Sequence, residues 1–566
     1  MTNPDLPTHA DVIIVGAGPT GSALAGDLGQ RGISVLLIDQ TDGVIHDARL
    51  HSVSIRTMEL ARHWGIDQDL RNCGWPLDHP QDVVWGTSLS DPETARISWP
   101  SIADMTPPAT SPTFAQRCAQ RWFNPILLRF AQNQPSITTL LQWQVGTVDQ
   151  DSDGVTVHAT DPDGTPVEFT GSYLVAADGA RSSIRRALGI ETVKSSVWGT
   201  SAEVIIRSPQ LKALPLAQTL GRFTVLEPAG MSISLLPFDG IDQFRVTVMV
   251  GDGNITTEDM LAAVRKIAGT DVDVEFKSEI LPWSNRETMA TRFRDGRIFL
   301  AGDAAHTMPT TGGLGMNTGI LDSFDLGWKL DAALRGWAGD GLLDSYDPER
   351  RVAVAQTAAL ASSIYQDWVQ TKREHEQFWA RIETGGPDAD LAKSELGKSL
   401  VHTFRREFNN IPASLGFWYE GSPICLPDGT SVTDLTFSEY TPTARPGHRA
   451  PHVWLADGTS TLDLFGPEFT LLVIGQSAAD TAAFEAAAHQ RGVPAKVVTI
   501  TDPAVAAPML AAYDKPYVLV RPDGHVAWRS DELPADPGVV LDIARGATSP
   551  ADSVLAGHGS THQSGS

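Results

Sequence analysis

The chain has 566 residues, of which 42% are hydrophobic and 20% are charged, which is the composition of a soluble globular protein. At this length two or three domains are expected, because a single hydrophobic core stops growing beyond roughly 250–300 residues. The formal net charge of −25 at pH 7 disfavours partners that are themselves anionic, such as nucleic acids and acidic membrane surfaces.

The cysteines and the apolar runs set limits on the location of the protein. Cys73, Cys118 and Cys425 are too widely spaced for a disulfide framework or a metal site, so a reducing cytoplasm is expected. No apolar run approaches the ~18 residues of a membrane span, and the first residues lack the pattern of a signal peptide. Neither a metal nor a membrane is therefore expected.

The first predicted element is a buried parallel strand, DVIIV at residues 11–15, which is apolar after its opening aspartate. It is followed by the glycine motif GAGPTG at residues 16–21 and by a helix that extends through Gly29. A second strand is predicted at residues 33–38, with the sequence ISVLLI, and it ends at Asp39.

Each glycine of this motif has a physical role in binding a dinucleotide. Gly16 permits a tight turn, Gly18 lets a pyrophosphate approach the backbone, and Gly21 lets the helix pack closely. Asp39 stands roughly 20 residues further on, where a carboxylate can bind a ribose diol. The combination predicts a Rossmann unit, but it does not distinguish NAD from FAD.

A third strand, turn and helix start are predicted at residues 173–182, with the sequence YLVAADGARS. Ser182 and Ser183 are suited to cap the helix. No second GxGxxG motif adjoins a strand. One nucleotide is therefore expected in a complete Rossmann unit, and any nicotinamide cofactor must dock without one.

The region from about residue 197 to residue 282 has a different pattern. It contains short strands with alternating polarity, among them MSISLL at residues 231–236 and FRVTVM at residues 244–249. This alternation predicts an antiparallel sheet.

The most informative segment is GRIFLAGDAAHTMPTTGGLGMNTGILDSFDLGWKL, residues 296–330. A buried strand is predicted at residues 298–301, and Asp303 follows it as a possible acceptor for a polyol chain. After Pro309 a glycine-rich loop leads into an apolar-periodic helix that begins near Leu314. A helix start offers unpaired N–H groups and the positive end of the dipole, which suits an electron-rich ring. The segment therefore indicates a flavin site.

The C-terminal part is predicted to form a helical region, a linker and a small α/β domain. The chain is helical and polar to about Phe408, and a Pro- and Gly-containing linker follows at residues 422–447. Residues 547–566 are rich in Gly, Ser, Ala and His without periodicity, which predicts a disordered tail. The strands of the α/β domain are predicted in APHVWL, DLFGPEFTLLVIG, AKVVTI and KPYVLVRPDGHVAWRS.

Three motifs, GAGPTG, VAADGARSSIRRALG and the segment at residues 296–330, occur in one order and spacing. In this respect the chain resembles the class A flavoprotein aromatic hydroxylases, the single-component FAD monooxygenases of the para-hydroxybenzoate hydroxylase and phenol hydroxylase type. The resemblance covers roughly residues 10–355. The C-terminal part resembles the thioredoxin-like domain of the phenol hydroxylase branch.

The resemblance implies an α/β fold with a Rossmann-like FAD-binding domain, an inserted antiparallel-sheet substrate domain and a C-terminal thioredoxin-like α/β domain. Redox chemistry of a thioredoxin fold needs a CxxC motif, and no cysteine follows Cys425, so a structural or dimer-supporting role is expected. A homodimer is accordingly expected. The implied divisions are 1–190 with 284–355 for FAD, 191–283 with part of 75–115 for substrate, 356–430 for the helical region and linker, 431–546 for the thioredoxin-like domain, and 547–566 for the tail.

The activity that the resemblance implies is hydroxylation of a phenolic or polycyclic aromatic substrate. NAD(P)H would reduce the FAD, O2 would add at its C(4a) position, and the resulting flavin hydroperoxide would attack the ring. NADH and NADPH remain open as the donor. Baeyer–Villiger oxidation or epoxidation of a related aromatic or polyketide substrate is the alternative, because the same oxidant serves each reaction.

The family's FAD contacts transfer to matching positions of this sequence. Asp39 would bind the adenosine ribose, Asp303 the ribityl chain, and residues 312–317 the pyrimidine edge of the flavin ring. Pro309 would lie over the flavin face near the reacting oxygen, which makes it a candidate catalytic residue. The full predicted set is Gly16, Gly18, Pro19, Thr20, Gly21, Asp39, Gln40, Arg49, Gln120, Asp178, Gly302, Asp303, Pro309, Gly312, Gly313, Leu314, Gly315, Met316 and Asn317.

Further positions of the family pattern concern the flavin entrance. Arg49 corresponds to the arginine after the second strand, and Gln120 to the glutamine of the helix that enters the FAD site. Asn124 stands where relatives often have a glutamate, so a charged contact is not implied there. Asp178 and Arg181 correspond to residues linked to FAD and to docking of the nicotinamide cofactor.

Candidate residues for substrate chemistry are few. A phenol becomes a better nucleophile when a base removes its proton, and His51 is near the expected flavin entrance. His306 lies within the flavin segment and is expected to be structural. The candidate wall residues, each of which could equally be ordinary core or surface, are Arg222, Phe223, Phe238 and Trp283.

Two functions of other classes remain alternatives. A flavin disulfide reductase would need a redox cysteine pair and a second nucleotide-binding unit, and the sequence shows neither pattern. A noncatalytic FAD-binding module would leave the antiparallel sheet and the third motif without a purpose.

Overall fold

The computed structural model describes residues 6–45, 52–228, 230–250, 255–408, 411–431, 439–475 and 481–550. No helix among them is long and apolar enough to cross a membrane. Its strands are β1 His9–Val15, β2 Val35–Asp39, β3 Ser52–Val53, β4 Asp82–Gly86, β5 Ala95–Ile97, β6 Gln116–Arg117, β7 Ile137–Leu141, β8 Gln144–Gln150, β9 Val155–Thr160, β10 Pro166–Ala176, β11 Thr192–Arg207, β12 Leu220–Val225, β13 Ile233–Pro237, β14 Gln243–Val250, β15 Glu275–Phe276, β16 Leu281–Ala290, β17 Arg294–Asp295, β18 Ile298–Leu300, β19 His306–Thr307, β20 Phe469–Ile474, β21 Ala495–Ile500, β22 Tyr517–Val520 and β23 Val526–Ser530.

Helices connect and cover these strands. They are α1 Pro19–Gln30, α2 Ile55–Trp64, α3 Asp67–Arg71, α4 Gln120–Gln132, α5 Ser183–Ala187, α6 Pro209–Ala213, α7 Thr257–Ala268, α8 Gly315–Leu334, α9 Tyr346–Glu383, α10 Gly386–Phe408, α11 Ile411–Leu415, α12 Ala482–Gln490, α13 Pro503–Tyr513 and α14 Pro537–Ala544.

The first sheet has the strand order β17-β18-β10-β1-β2-β7, and β8 and β9 extend it from β10. The β1–β10, β1–β2, β10–β18 and β2–β7 pairs are all parallel. In this register Val15 pairs with both Ala176 and Ile38, and Ala176 pairs with Leu300. The three motifs, which are far apart in sequence, therefore meet at the carboxyl edge of one sheet, where open α/β sheets bind their ligands.

The second sheet has the order β19-β16-β11-β14-β13-β12-β4-β5, with β15 beside β11. Most of its pairs are antiparallel, as predicted from the alternating polarity, although β4 pairs with β12 in parallel. Helix α7 covers one face, where Met260 and Val264 pack against Phe223, Leu235 and Val246. The opposite face of this sheet is not covered by α7.

The third sheet has the order β21-β20-β22-β23, with a parallel β20–β21 pair and antiparallel neighbours. This is the thioredoxin-like arrangement predicted for the C-terminal part. One predicted strand, APHVWL at residues 450–455, is wrong, because Trp454 forms only an isolated bridge with Ser460. Pro451 has no N–H for a ladder, and its carbonyl accepts hydrogen bonds from the hydroxyl groups of Thr461 and Tyr513.

Buried ion pairs join the third sheet to helices α8 and α9. Arg521, between β22 and β23, contacts Asp325 of α8 and Glu349 of α9, and all three side chains are fully buried. Burial by itself raises the pKa of Glu349, but Arg521 and Lys329 outweigh it and lower the pKa to about 2. Because a buried charge is costly without its partner, these pairs hold the C-terminal sheet in one position.

The sequence-based domain boundaries stay a prediction, although the fold class itself is confirmed. The helical region after residue 346 is present as α9 and α10, which are separated at Gly385 and Gly386, both with φ near +70°. Part of the predicted linker and most of the predicted tail, residues 551–566, lie outside the described residues.

Candidate active site

The glycine motif forms the turn between β1 and α1. Gly16 has φ +108°, and a Cβ there would lie 2.3 Å from the carbonyl oxygen of Ala177. A Cβ on Gly21 would lie 1.9 Å from the carbonyl oxygen of Gly16, whereas no atom lies within 4 Å of one built on Gly18. Packing therefore requires glycine at positions 16 and 21, whereas Gly18 leaves open space beside the start of α1.

The start of α1 has the properties of an anion site. Gly18 is its N-cap and Pro19 its first residue, and no side chain caps the helix. Its first-turn N–H groups are available to a ligand, and the helix dipole favours negative charge there. Thr20 lies just behind, against Gly302 of the third motif.

Asp39 ends β2 beside this turn. Its Oδ2 accepts a hydrogen bond from the backbone N of Ala17 at 2.6 Å, and its Oδ1 accepts two from Thr41. The carboxylate is thus held at the glycine turn while it stays half-buried, and Gln40 beside it is exposed. Arg49 and His51 lie outside the described residues.

Asp178 follows β10 at the same edge. Its Oδ2 accepts hydrogen bonds from the backbone N of Ser183 and of Ile184, at 2.8 and 3.3 Å, which fixes the start of α5. Its Oδ1 is buried and has no hydrogen-bond partner in the structure. Buried carboxylate oxygens normally have partners, so this atom is suited to a ligand donor. Arg181 nearby is exposed.

Gly302 and Asp303 form a 3-10 turn after β18. Gly302 has φ +60°, and a Cβ there would lie 2.5 Å from Oγ1 of Thr20. The turn is therefore pressed against the glycine motif, and Asp303 is exposed at this junction. The predicted pyrophosphate site at the start of α1 and the predicted ribityl site at Asp303 are therefore adjacent.

The loop before α8 follows the predicted pattern. Gly312 and Gly313 have φ +75° and +65°, and α8 begins at Gly315 with Leu314 as an N-cap that has no side-chain hydrogen bond. The loop presents the unpaired first-turn N–H groups of a 20-residue helix. Pro309 and Leu314 are buried, and Met316 is half-buried.

Asn317 holds the loop to a neighbouring ribbon through its side-chain amide. Its Nδ2 donates to the carbonyl oxygens of Gly313 and Ser52, at 2.7 and 3.1 Å. Its Oδ1 accepts from the backbone N of Ser54 and from Oγ1 of Thr57. Both ends of the amide are therefore used within the protein, and Asn317 can contact a flavin only through its backbone.

A buried ionic triad under the third motif was not predicted. His306 Nε2 lies 2.7 Å from Asp322 Oδ2, and Arg350 Nε donates to Asp322 Oδ1 at 2.8 Å. Asp322 also accepts from the backbone N of Gly302 at 2.9 Å, so it anchors the turn that presents Asp303. Burial raises the pKa of Asp322, but the charges of His306 and Arg350 outweigh it and leave the pKa lowered. The sequence signal that could have indicated this triad is Asp322 itself, a carboxylate within the apolar pattern of α8.

Helix α4 enters the site from the side. Gln120 is its first residue and is buried, next to Ala119 as the N-cap. Asn124 Nδ2 donates to the carbonyl oxygen of Ala17 at 3.3 Å, and its Oδ1 is buried without a partner. Asn124 therefore reaches the glycine turn without the charge that a glutamate would bring.

The free face of the second sheet opposes this helix. Arg245 pairs across strands with Leu236 and Ile205, so these side chains share the face opposite α7. Ile205 packs against Ala119 and Phe238, which places this face against the start of α4. The free face of the second sheet therefore packs against the start of α4, on the side of the first sheet.

The four candidate wall residues are placed differently. Both phenylalanines are fully buried: Phe238 packs against Ala119 and Ile205 at the start of α4, whereas Phe223 packs on the α7 side of the sheet. Arg222 is half-buried and paired with Glu407 of α10 at 2.9 Å. Trp283 belongs to β16 by its backbone, and its side chain lies outside the described residues. The structure thus places Phe238 and Phe223 on opposite faces of the second sheet and directs Arg222 to α10.

Two family models match this chain, the FAD binding domain over residues 9–361 and the aromatic-ring hydroxylase C-terminal domain over residues 443–546. The chain is 32% identical to aklavinone 12-hydroxylase RdmE of Streptomyces purpurascens over 557 residues, covering 94% of this chain and 98% of that protein.

Solved structures agree with the sequence matches. The rebeccamycin biosynthetic enzyme RebC with reduced flavin has a TM-score of 0.86 at 35% identity, covering 96% of this chain and 100% of that chain. Aklavinone-11 hydroxylase in a ternary complex with FAD and aklavinone has a TM-score of 0.80 at 29% identity, covering 97% and 100%.

Proposed function

This chain belongs to the FAD-dependent aromatic-ring hydroxylases, and we propose from that membership that it hydroxylates a phenolic or polycyclic aromatic compound, with O2 and NADH or NADPH as co-substrates. The observation that supports this most directly is the meeting of the three motifs at one sheet edge, on the side where the second sheet packs against α4. Hydroxylation is favoured over Baeyer–Villiger oxidation or epoxidation because the similar aklavinone enzymes are hydroxylases by name.

The residues present fit FAD. The open space at Gly18 and the uncapped start of α1 suit a pyrophosphate, and the carboxylate of Asp39 suits the ribose next to it. The unpaired Oδ1 of Asp178 and the exposed carboxylate of Asp303 offer acceptors to hydroxyl or N–H groups. We propose that the predicted set holds FAD in this way.

FAD, when bound, supplies the transfer of electrons from the nicotinamide cofactor to O2 and the activated oxygen that the aromatic ring receives. The chain's own contribution at the ring is electrostatic. The first-turn N–H groups of α8, at Gly315 and Met316, would be available to the pyrimidine edge of the flavin ring, and the helix dipole would favour negative charge there by ~1 kcal/mol. Asn317 holds this helix start in place.

Water must be excluded where oxygen is activated, because a hydrated site wastes the oxidant as peroxide. Buried Pro309 and Leu314 on one side, and Ile205 and Phe238 on the other, are suited to this task. We propose that Phe238 contacts substrate and that Pro309 lies at the reacting face of the flavin. His51 remains a predicted base for the phenol, with Arg222 and Trp283 as further predicted wall residues.

We also propose a homodimer in a reducing cytoplasm. The three cysteines are free thiols, which is the state maintained there. The charge of −25 keeps dimers from associating further. Light scattering of the purified protein tests the dimer, and a monomer at micromolar concentration would contradict it.

The test of function uses the purified full-length protein and isotopically heavy O2. We expect bound FAD, consumption of NADH or NADPH that a phenol or polycyclic phenol accelerates, and a product one heavy oxygen atom larger. Mass spectrometry locates the label. Absence of flavin, or of labelled product across a broad phenol panel, would contradict the proposal, and insertion of the oxygen into a ring carbon–carbon bond would favour the Baeyer–Villiger alternative.

A further inference from the structure

Two cysteines that are far apart in the sequence lie side by side in the structure. Cys73 follows α3 and packs against the apolar cluster that contains Cys118, which lies between β6 and α4. The Cys73 thiol donates to the carbonyl oxygen of Arg117 at 3.5 Å, and the thiols of Cys73 and Cys118 hydrogen-bond to each other. We refer to these two residues as the cysteine pair.

The two thiols differ in their access to solvent. Cys118 is only 2% exposed, whereas Cys73 is half-buried in a loop whose neighbouring residues, Asn72 and Gly74, are exposed. The ring of Trp122 covers this loop from the α4 side, since a Cβ on Gly74 would lie 3.3 Å from it. A small solute that approaches the pair from solvent therefore meets Cys73 first.

The protonation states of the two thiols also differ. The hydrogen bond with Cys118 lowers the pKa of Cys73 to about 7 although burial opposes it, and a hydrogen bond with the backbone of Trp75 adds to the lowering. Burial raises the pKa of Cys118 well above its usual range. At pH 7 about half of a thiol with a pKa near 7 is thiolate, compared with a few per cent of an ordinary cysteine. The accessible thiol is therefore the nucleophile, and the buried thiol keeps its proton.

We propose that the cysteine pair is a modification site for hydrogen peroxide, at which Cys73 is oxidised first and Cys118 then closes a reversible disulfide. In the first step the Cys73 thiolate attacks one oxygen of H2O2, the O–O bond breaks, and a sulfenic acid and hydroxide form. In the second step the Cys118 sulfur attacks the Cys73 sulfur, the S–O bond breaks, and the leaving hydroxide takes the Cys118 proton and departs as water. Peroxide is thereby reduced by the two electrons that the two thiols lose.

A source of peroxide lies close to the pair, and this part of the inference rests on the proposed function. Reduction of bound FAD without an aromatic compound to receive the oxygen releases peroxide. Arg117, whose carbonyl oxygen binds the Cys73 thiol, pairs in register with Ser52, and the carbonyl oxygen of Ser52 accepts a hydrogen bond from Asn317. The cysteine pair is therefore one strand pairing away from the loop that leads into α8. In a reducing cytoplasm such a disulfide is transient, which suits a response to peroxide.

The first test treats FAD-loaded wild-type protein with H2O2 at pH 7, without a nicotinamide cofactor, and then blocks the remaining thiols with N-ethylmaleimide in denaturant. Peptide mapping without reductant is expected to show a cross-link between Cys73 and Cys118 that dithiothreitol reverses. Cys425 is buried, and burial raises its pKa, so it is the internal control and is expected to stay a thiol. If Cys73 stays reduced, or is oxidised without a link to Cys118, the proposal is overturned without any variant.

Variants then assign the two roles. Cys118→Ala is expected to accumulate a sulfenic acid at Cys73 that dimedone traps, and this adduct is expected to be lost in wild-type protein because the disulfide consumes it. Cys73→Ser is expected to leave Cys118 reduced at the same dose of peroxide. Cys425→Ala is the matched control and is expected to keep the cross-link. Oxidation of Cys118 in Cys73→Ser at the wild-type rate would contradict the assignment. Flavin content and thermal midpoint report folding.

The last arm tests the source of the peroxide. FAD-loaded protein oxidises NADH or NADPH in air without an aromatic compound, and the cross-link is expected to accumulate with time and to be prevented by catalase. A cross-link with added peroxide but none during this turnover would overturn the connection to the flavin. If a phenol is hydroxylated but added peroxide gives no cross-link, the proposed function stands and the cysteine inference alone fails. If neither NADH nor NADPH is oxidised, the proposed function has failed, and the reaction with added peroxide decides the cysteine inference by itself.

Discussion

Replacing Asp322 by Asn should destabilise the flavin-binding sheet, because this side chain compensates the buried Arg350 guanidinium and holds His306 and the Gly302 turn. Asp322 is fully buried and accepts hydrogen bonds from Gly302 N at 2.9 Å and Arg350 Nε at 2.8 Å, with His306 Nε2 at 2.7 Å. An amide of the same shape removes the charge and must place an N–H group toward one of these partners. Breaking a buried ion pair costs ~3–5 kcal/mol, because the remaining charge is left without compensation.

The assay is urea unfolding at pH 7, followed by release of flavin fluorescence, which reports the first sheet rather than the whole chain. Asp344→Asn is the matched control, because Asp344 is 76% exposed and its pair with Arg294 should contribute under ~1 kcal/mol. The wild-type advantage should depend on pH in one direction. The folded-state pKa of Asp322 is lowered, so the carboxylate stabilises the fold above its unfolded-state pKa, and this stabilisation disappears as pH falls through the folded-state value.

Two results would refute this reasoning. The first is a loss below ~1 kcal/mol for Asp322→Asn, equal to that of the control, which would mean that the triad is not buried as described. The second is a difference between wild type and Asp322→Asn that grows toward acidic pH. Loss of flavin affinity at unchanged unfolding midpoint would instead identify Asp322 as a residue that positions Gly302 and Asp303 without supporting the sheet.

Three further outcomes test the site and its surroundings. Gly18→Ala should fold normally and lose FAD affinity, whereas Gly21→Ala should disrupt folding because its Cβ would lie 1.9 Å from a carbonyl oxygen. If Gly18→Ala kept the FAD affinity of the wild type, the assignment of the pyrophosphate to this turn would be wrong. Asp303→Ala should raise the FAD dissociation constant about tenfold or more by equilibrium dialysis, while Asp295→Ala, on neighbouring β17, should not. Hydrogen bonds, first that with Cys118 and then those with the backbone, lower the pKa of Cys73 to about 7. The rate at which Cys73 reacts with a thiol reagent should therefore rise through pH ~7, and this reaction should be absent in Cys73→Ser. A midpoint above pH ~8.5 would contradict the lowered pKa.

Much of the fold could be predicted from sequence because its signals are local. The continuous apolar runs of β1, β2 and β18 indicate buried parallel strands, and the alternation in β13 and β14 indicates a half-buried antiparallel sheet. The prediction of a strand at residues 450–455 is wrong, because the apolar residues of this segment are used in side-chain packing around Pro451 and not in a ladder.

The signals of the glycine positions are equally local. A tight turn, a close helix contact and an uncapped helix start are properties of a few consecutive residues, so the amino-acid sequence is sufficient to assign distinct roles to Gly16, Gly18 and Gly21. The chemical class of the cofactor followed from three such motifs in one order. The amino-acid sequence alone thus determined most of the elements, and the resemblance that its three motifs have to a known family implied the cofactor class and the reaction type.

What only the tertiary structure decided are pairings between distant residues. Phe223 and Phe238 are the same residue type and are both buried, but the register of the second sheet packs Phe223 against α7 and Phe238 against the start of α4. The role of Asp322 is evident only when the fold brings His306 and Arg350 to it. Charge compensation and burial depend on all the neighbours that a side chain has in space. Some of these neighbours lie about a hundred positions away in the chain, where no local sequence pattern can indicate them.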